Sequence, residues 1–283
     1  MRILVTNDDG IDSEGLHVLA RALRVHGDVT IIAPDDEYSG ASAALGAIHL
    51  IQPEVHRADV AGIDNAYAVS GPPALCVMFA RLGAFGPPFD LVVSGINPGA
   101  NVGRSVYHSG TVGAALTARA GGISGVAVSQ AVVGIGVEGQ GWDEMLRGQC
   151  WDGAAEVAAT VIGGLVEAAL AAPVVINVNV PNLLVKDMAG WQRTAIGRVP
   201  PRAISEVTLE PKLGHPGTFR VAMRWGDAVS LPEGTDGGAI ERNLVSITML
   251  GSLTDVDADR DSSAEAAAQE GVGGALGKLF PAF

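Results

Sequence analysis

Asp8 and Asp9 stand side by side in MRILVTNDDGIDSEG, directly after the run Ile3, Leu4, Val5 and Thr6. Adjacent carboxylates repel, and burying either one without a partner is costly. Two arrangements relieve the conflict. Either the pair faces water, as a solvated acidic turn or a helix N-cap, or a cation sits between the two groups. Hard divalent ions such as Mg²⁺, Mn²⁺ or Ca²⁺ suit a set of oxygen donors without sulfur. Gly10 permits the sharp bend by which Asp8 and Asp9 reach one ion. A second cluster is SGINPGANVGRSVYHSGTVGAA, where Asn97 follows an apolar run and its side-chain carbonyl can complete an oxygen shell. Gly95, Gly99 and Gly103 permit close backbone approach. Ser109, Gly110 and Thr111 precede a helix expected to begin near Val112. A helix N-terminus with hydroxyl side chains is an anion site that needs no lysine. Alternatively Ser109 or Thr111 is an N-cap, worth about 1 kcal/mol and nothing more. His108, beside this segment, is placed either to protonate a leaving oxygen or to serve as a packing or surface residue. Tyr38, Tyr107 and Trp225 are candidates for stacking on a base or for core or interface packing.

These residues need a scaffold that brings them to one edge. RILVT, DVTIIAP, FDLVVSGIN, SGVAVSQ and PVVINVNVP read as strands. GLHVLARALRVHG, PPALCVMFARLG, TVGAALTARAGG and WDGAAEVAATVIGGLVEAAL read as helices. β-branched runs alternating with helices predict an α/β fold: a mostly parallel sheet with helices on both faces. Ligands of such sheets bind beyond the carboxyl ends of the strands. The segments that follow three strands there are NDDG, DDEYSGAS and INPGANVGRSVYHSGTVGAA. They carry carboxylates, hydroxyls and amides and very little positive charge. HLIQPEVHRADVAGIDNAYAVSG is hairpin-like. From about 185 to 238 the pattern changes to ribbon: WQRTAIGRV, SEVTLEP, TFRVAMRW and DAVSLPEG predict an extended β-arm. ERNLVSITML predicts a closing strand. Residues 256–283 form a low-complexity tail, expected to be loose or briefly helical.

The chain has 283 residues, 48% of them hydrophobic, enough for one large domain or two small ones. Its net charge of -13 argues against a sequence-independent grip on a nucleic-acid duplex, which needs surplus Lys and Arg. A single small phosphate ester is not excluded. Cys76 and Cys150 lack a CxxC spacing and read as reduced thiols in a cytoplasm. No membrane span is expected, since the apolar stretch near 157–180 is broken by Glu167, Pro173 and Asn177. His17, His26, His49, His56 and His215 have no companion motif and are expected to be structural or exposed. The first strand-helix turn lacks GxGxxG, which weakens a dinucleotide oxidoreductase reading.

MRILVTNDDG, PDxxxSGAS, SGINPGANVG and YHSGTVGAA, in that order, resemble the SurE family of stationary-phase survival nucleotidases. INVNVP and TDGGAIERNLVSITML resemble that family's later strands. The resemblance spans about residues 1–255 as a single domain. It implies a Rossmann-like core, and a phosphatase acting on nucleoside monophosphates with one divalent metal ion per subunit, Mg²⁺ or Mn²⁺. It also implies a homodimer or homotetramer built through an exchanged β-arm and C-terminal elements. Carried over by motif, the metal ligands are Asp8, Asp9, Ser39 and Asn97. The phosphate-binding residues are Ser109, Gly110, Thr111 and Asn101, with Asn7 a further contact. The chain departs from the family at Asp36, where a basic residue is usual, and at Thr117 and Ala118, where Glu-Gly is common. Its last strand reads NLVSITML against the family's GYVSITPL.

The reaction implied is hydrolysis of nucleoside 5′-monophosphates, and of 3′-monophosphates as a further substrate, by a metal-activated water, with Asp8 either ligating the metal and orienting that water as base or serving as a metal ligand only. A phospho-aspartyl route is the competitor, and it favours a DxD spacing over adjacent aspartates. The alternative function is a non-catalytic nucleotide- or metabolite-binding protein on the same fold.

Overall fold

Ile3, Leu4 and Val5 have no exposed surface because β1 (Arg2–Thr6) runs through the middle of a sheet. The computed structural model describes residues 1–46, 48, 50, 52–132, 146–168, 170–199, 204–227, 229–251, 270 and 272. The chain divides at Gly251 into a unit Met1–Gly251 and a unit Ser252–Phe283. Of the second unit only Glu270 and Val272 are described, both helical, so the reading of the tail otherwise lies outside the described residues, as does His49.

The remaining strands are β2 (Asp28–Pro34), β3 (Val55–Arg57), β4 (Asn65–Val69), β5 (Leu91–Pro98), β6 (Ser124–Gln130), β7 (Val175–Val180), β8 (Gly190–Arg193), β9 (Ile204–Pro211), β10 (Phe219–Trp225) and β11 (Leu244–Leu250). Together with β1, eight of them form one nine-stranded sheet in the order β3-β4-β2-β1-β5-β6-β7-β11-β8. The block β4-β2-β1-β5-β6-β7 is parallel throughout. β3 pairs antiparallel with β4, and β11 antiparallel with β7. This is the mostly parallel sheet expected from the continuous apolar runs. The sequence order of β1 and β5, adjacent in space, places their carboxyl ends together, with Thr6 opposite Ser94.

Helices α1 (Glu14–Leu23) and α4 (Trp151–Glu167) cover one face, and α2 (Pro73–Arg81) and α3 (Gly110–Ala120) the other. Alternation along β1 shows why both faces need cover. Ile3 and Val5 pack with Leu16, Leu19 and Ile162, whereas Leu4 packs with Cys76, Val77 and Ala114. Each such Ile, Leu or Val side chain contributes about 1.5–3 kcal/mol on burial.

The ribbon is shorter than the sequence pattern suggests. β9 and β10 form a separate antiparallel pair, exposed along β9, spanning 204–225 rather than 185–238. WQRTAIGRV instead supplies β8, which joins the main sheet beside β11. DAVSLPEG forms no strand among its described residues, in keeping with Pro232, which cannot donate to a ladder. A short helix not read from the sequence, α5 (Asp236–Glu241), follows, capped by the Thr235 hydroxyl. Its two glycines weaken any helical signal.

Candidate functional site

β1 delivers Asn7, Asp8 and Asp9 to the sheet's carboxyl edge. Asp8 is only 3% exposed. Its Oδ1 accepts the Thr111 hydroxyl at 2.5 Å, and its Oδ2 accepts the Gly110 N–H at 3.1 Å. Burial pushes the Asp8 carboxyl up, while the Thr111 hydroxyl and the amides of Asp8, Thr111 and Gly110 pull it back. Asp9 has less help. Burial raises it well above the usual carboxylate range, and the charges of Asp8 and Glu37 raise it further. The Asn7 amide donates to the Gly10 carbonyl at 3.0 Å.

The start of α3 therefore faces a carboxylate of this same chain. The sequence predicts a phosphate there, on Ser109, Gly110 and Thr111. In the structure Ser109 is the N-cap and its hydroxyl accepts the Val112 N–H at 3.1 Å. The Gly113 N–H goes to the Ser109 carbonyl at 2.9 Å. Gly110 and Thr111 turn to Asp8. With the Ser109 N–H on the Ser105 carbonyl at 3.0 Å, the four N–H groups that a helix start leaves over are engaged, and the dipole of α3 points its positive end at Asp8. Gly110 has to be glycine at this approach, since a Cβ there would lie 2.7 Å from Asp8 Oδ2.

The loop after β2 is bound to both of these elements. The Tyr38 N–H donates to the Asp8 carbonyl at 2.7 Å, and the Ser42 N–H to the His108 carbonyl at 3.2 Å. Ser39 lies between these two tethers and its side chain is exposed without a hydrogen bond. The loop passes so close to α3 that a Cβ on Gly113 would meet the Ser42 carbonyl oxygen at 2.1 Å. The His108 side chain is exposed beside it, and Tyr107 is 75% exposed, which removes core packing as its role. His17 and His26 donate from Nε2 to the backbone carbonyls of Ile11 at 2.7 Å and Ala159 at 2.9 Å, and His56 is exposed beside Glu54.

β5 carries Asn97 past the end of its pairing with β1. The ladder with β6 shifts between Ser94 and Asn97 and resumes with Asn97 opposite Ser129. The Asn97 amide donates to the Gly99 carbonyl at 2.6 Å, which leaves its Oδ1 without a protein partner. Asn101 sits deeper. It is buried, and its amide donates to Ser129 Oγ at 2.9 Å. Its carbonyl accepts Asn177 Nδ2 at 2.9 Å and Asn179 Nδ2 at 3.2 Å. Sequence reasoning missed this support. The available signal was VINVNV, a fully buried strand with asparagine at alternate positions, where each amide needs a partner. Thr117, at a departure from the family pattern, spends its hydroxyl on the Gly113 carbonyl at 2.7 Å.

The residues present fit a hard cation. Asp9 Oδ2 and Asn7 Oδ1 are buried oxygens with no hydrogen-bond partner. No Lys or Arg pairs with Asp8 or Asp9 among the described residues. Buried carboxylate and amide oxygens without a donor ask for positive charge, and oxygen sets of this kind suit Mg²⁺ or Mn²⁺. Among the described residues no group of three or more His, Cys, Asp or Glu side chains is placed to hold a metal.

Comparison with known proteins gives the family. The family model for survival protein SurE matches residues 3–202. The 5′-nucleotidase SurE of Haemophilus influenzae (strain 86-028NP) is 37% identical over 255 residues, 88% of this chain and 91% of that protein. The 5′-nucleotidase SurE of Haemophilus ducreyi is 39% identical over 251 residues, covering 88% and 93%. The crystal structure of the SurE protein from Aquifex aeolicus superposes with a TM-score of 0.70 at 29% identity, covering 90% of this chain and 95% of that one. With a family match across most of its length and relatives of this identity over most of both chains, the chain belongs to the SurE family.

Proposed function

We propose that this chain is a divalent-metal-dependent phosphomonoesterase that hydrolyses nucleoside 5′-monophosphates, with 3′-monophosphates as further substrates, to nucleoside and phosphate. The observation that carries the reading is Asp8: a buried carboxylate at the tip of β1, gripped by Gly110 and Thr111 and set beside the unpartnered Asp9 oxygen. Family membership, with relatives named 5′-nucleotidase SurE, supports it.

Asp8, Asp9, Ser39 and Asn97 would hold one Mg²⁺ or Mn²⁺ ion per subunit. Such an ion would supply Lewis-acid charge at the phosphoryl group and a more acidic water near neutral pH. Asp8 orients the attacking water and takes its proton. Its direction is set by Thr111 and Gly110, so these two act on the reaction through Asp8 as well as through the positive end of α3 beside the phosphoryl oxygens. Asn7 and Asn101 are further phosphate contacts, and His108, exposed beside the helix start, protonates the leaving oxygen. The working form is a homodimer or homotetramer in the cytoplasm, where Cys76 and Cys150, both free, stay reduced. No helix among the described residues is long and apolar enough to cross a membrane.

The test is phosphate release from AMP and GMP, and from their 3′ isomers, with Mg²⁺ or Mn²⁺ against EDTA. Asp8→Asn is expected to lower kcat by about 10²-fold or more. Tight nucleotide binding with no turnover under any divalent ion would replace this reading with the non-catalytic one. Acid-labile phosphate trapped on Asp8 or Asp9 would replace direct water attack with a phospho-aspartyl route.

A further inference from the structure

Asp236 carries a carboxylate that this reaction does not use. It is fully buried, and its oxygens accept three backbone N–H groups. Oδ2 takes Gly103 at 2.8 Å, and Oδ1 takes Gly197 at 2.9 Å and Gly237 at 2.8 Å. Two distant pieces of chain thus meet on one side chain. Gly103 lies on the loop between Asn101 and the Ser109–Thr111 segment. Gly197 lies on the stretch between β8 and the arm strand β9. That stretch is fastened to the turn before α5 by further bonds, from the Ala195 N–H to the Gly234 carbonyl at 3.0 Å and from the Asp236 N–H to the Ala195 carbonyl at 2.9 Å.

The joint has no slack. A Cβ on Gly103, whose φ is +57°, would meet the Gly197 carbonyl oxygen at 3.2 Å, and a Cβ on Gly197 would meet Asp236 Oδ1 at 3.2 Å. The same loop is also held at Gly99, whose N–H reaches the Gln130 carbonyl at 2.7 Å, and at the Asn101 carbonyl by Asn177 and Asn179. Those anchors lie within the parallel sheet. The Asp236 anchor instead ties the loop to the root of the arm.

We propose that Asp236 is a positioning residue: its carboxylate locks the loop carrying Asn101 against the arm root and thereby sets the affinity of the site for a phosphoryl group. The proposal rests on the phosphomonoesterase reading. Its chemistry is specific to a carboxylate. In Asp236→Asn one acceptor oxygen becomes an NH₂ donor, and at least one of the three glycine N–H groups then faces a donor in a buried place.

The experiment uses the full chain loaded with Mn²⁺. In Asp236→Asn, KM for AMP and the inhibition constant of inorganic phosphate are expected to rise together by about 10-fold, with kcat within about twofold of the parent. The Mn²⁺ concentration for half activity is expected to stay put, because the metal oxygens lie on other segments. Placed on Asn101→Ala, the same change is expected to add less than about twofold, since both act on one loop. Gly103→Ala leaves Asp236 intact, displaces the loop from Gly197, and is expected to reproduce the pattern; it decides the question if Asp236→Asn does not fold. Lower melting with parental KM and phosphate inhibition, or full additivity with Asn101→Ala, overturns the proposal and leaves Asp236 a structural residue. A parent chain that releases no phosphate sinks the phosphatase reading instead. Calorimetric phosphate affinity of parent and variants then decides the tie, and a parent that binds no phosphate overturns the proposal too.

Discussion

At the scale of the residue, the site is defined by unequal treatment of two neighbouring carboxylates. Asp8 is held by the Thr111 hydroxyl and by backbone amides that include Gly110, whereas Asp9 has only its own backbone amide and its Oδ2 has no partner. Asp9 is raised well above the usual range by burial and then by Asp8 and Glu37. A group raised in the folded chain contributes stability that is fully present below its unfolded value, about 3.9, and is lost as pH climbs from there through the folded value. Metal-free Asp9→Asn is therefore expected to melt above the parent by about 2–6 °C at pH 8, with the gap closing toward pH 4. Melting in EDTA across that range checks it, and Mn²⁺ is expected to raise the parent and not the variant. Gly110→Ala tests the other carboxylate. Alanine favours helix by about 1 kcal/mol over glycine, so α3 persists, while the new Cβ pushes Asp8 aside. A fall in kcat of about 10²-fold at nearly unchanged melting is expected. A variant with parental kcat would show that the grip on Asp8 does not matter.

At the scale of elements, three strand ends are held in one place by contacts between loops. The loop after β2 hangs on Asp8 and His108 through its own backbone, at Tyr38 and Ser42. Its proximity to α3 depends on Gly113. Gly113→Ala is expected to shift that loop, weaken Mn²⁺ binding by about 10-fold through Ser39, and leave the helix intact, as read by metal titration and circular dichroism. Much of this scale was legible in sequence. Continuous β-branched runs and alternating helices marked β1, β2, β5, β6 and β7, because a strand buried on both faces has no polar period to confuse it. The Ser109–Thr111 segment was legible as a helix start for the same kind of reason, its hydroxyl cap. What the helix start binds was not legible, since Asp8 lies about a hundred residues away in the chain. The short helix α5 escaped because Gly237 and Gly238 carry no helical signal.

At the scale of the whole molecule, the β9–β10 arm stands out. Leu209 and Val221 face each other across it at 64% and 58% exposure. An isolated two-stranded ribbon is marginal in water, and exposed apolar pairs of this kind mark contact surfaces. In the homodimer or homotetramer proposed here, that ribbon packs against another copy. Leu209→Asp with Val221→Asp is expected to reduce the mass measured by light scattering, with the core unit still folded. A parent chain that is monomeric at micromolar concentration would remove this role from the arm.

By itself the sequence determined the residue types and the strand ends that carry them: Asp8 and Asp9 after β1, Ser39 after β2, Asn97 at the end of β5 and Asn101 beyond it, and the hydroxyls at the start of α3. Local patterning is enough for that, because periodicity and capping act within a few residues. The tertiary structure decided which groups face which. It turned the start of α3 onto Asp8, left Asp9 and Asn7 with unpartnered oxygens, sent Asn101 toward Asn177 and Asn179, and gathered Gly103 and Gly197 on Asp236. These are contacts between segments far apart in the chain, set by the packing of helices on a sheet, and no spacing in the sequence encodes them.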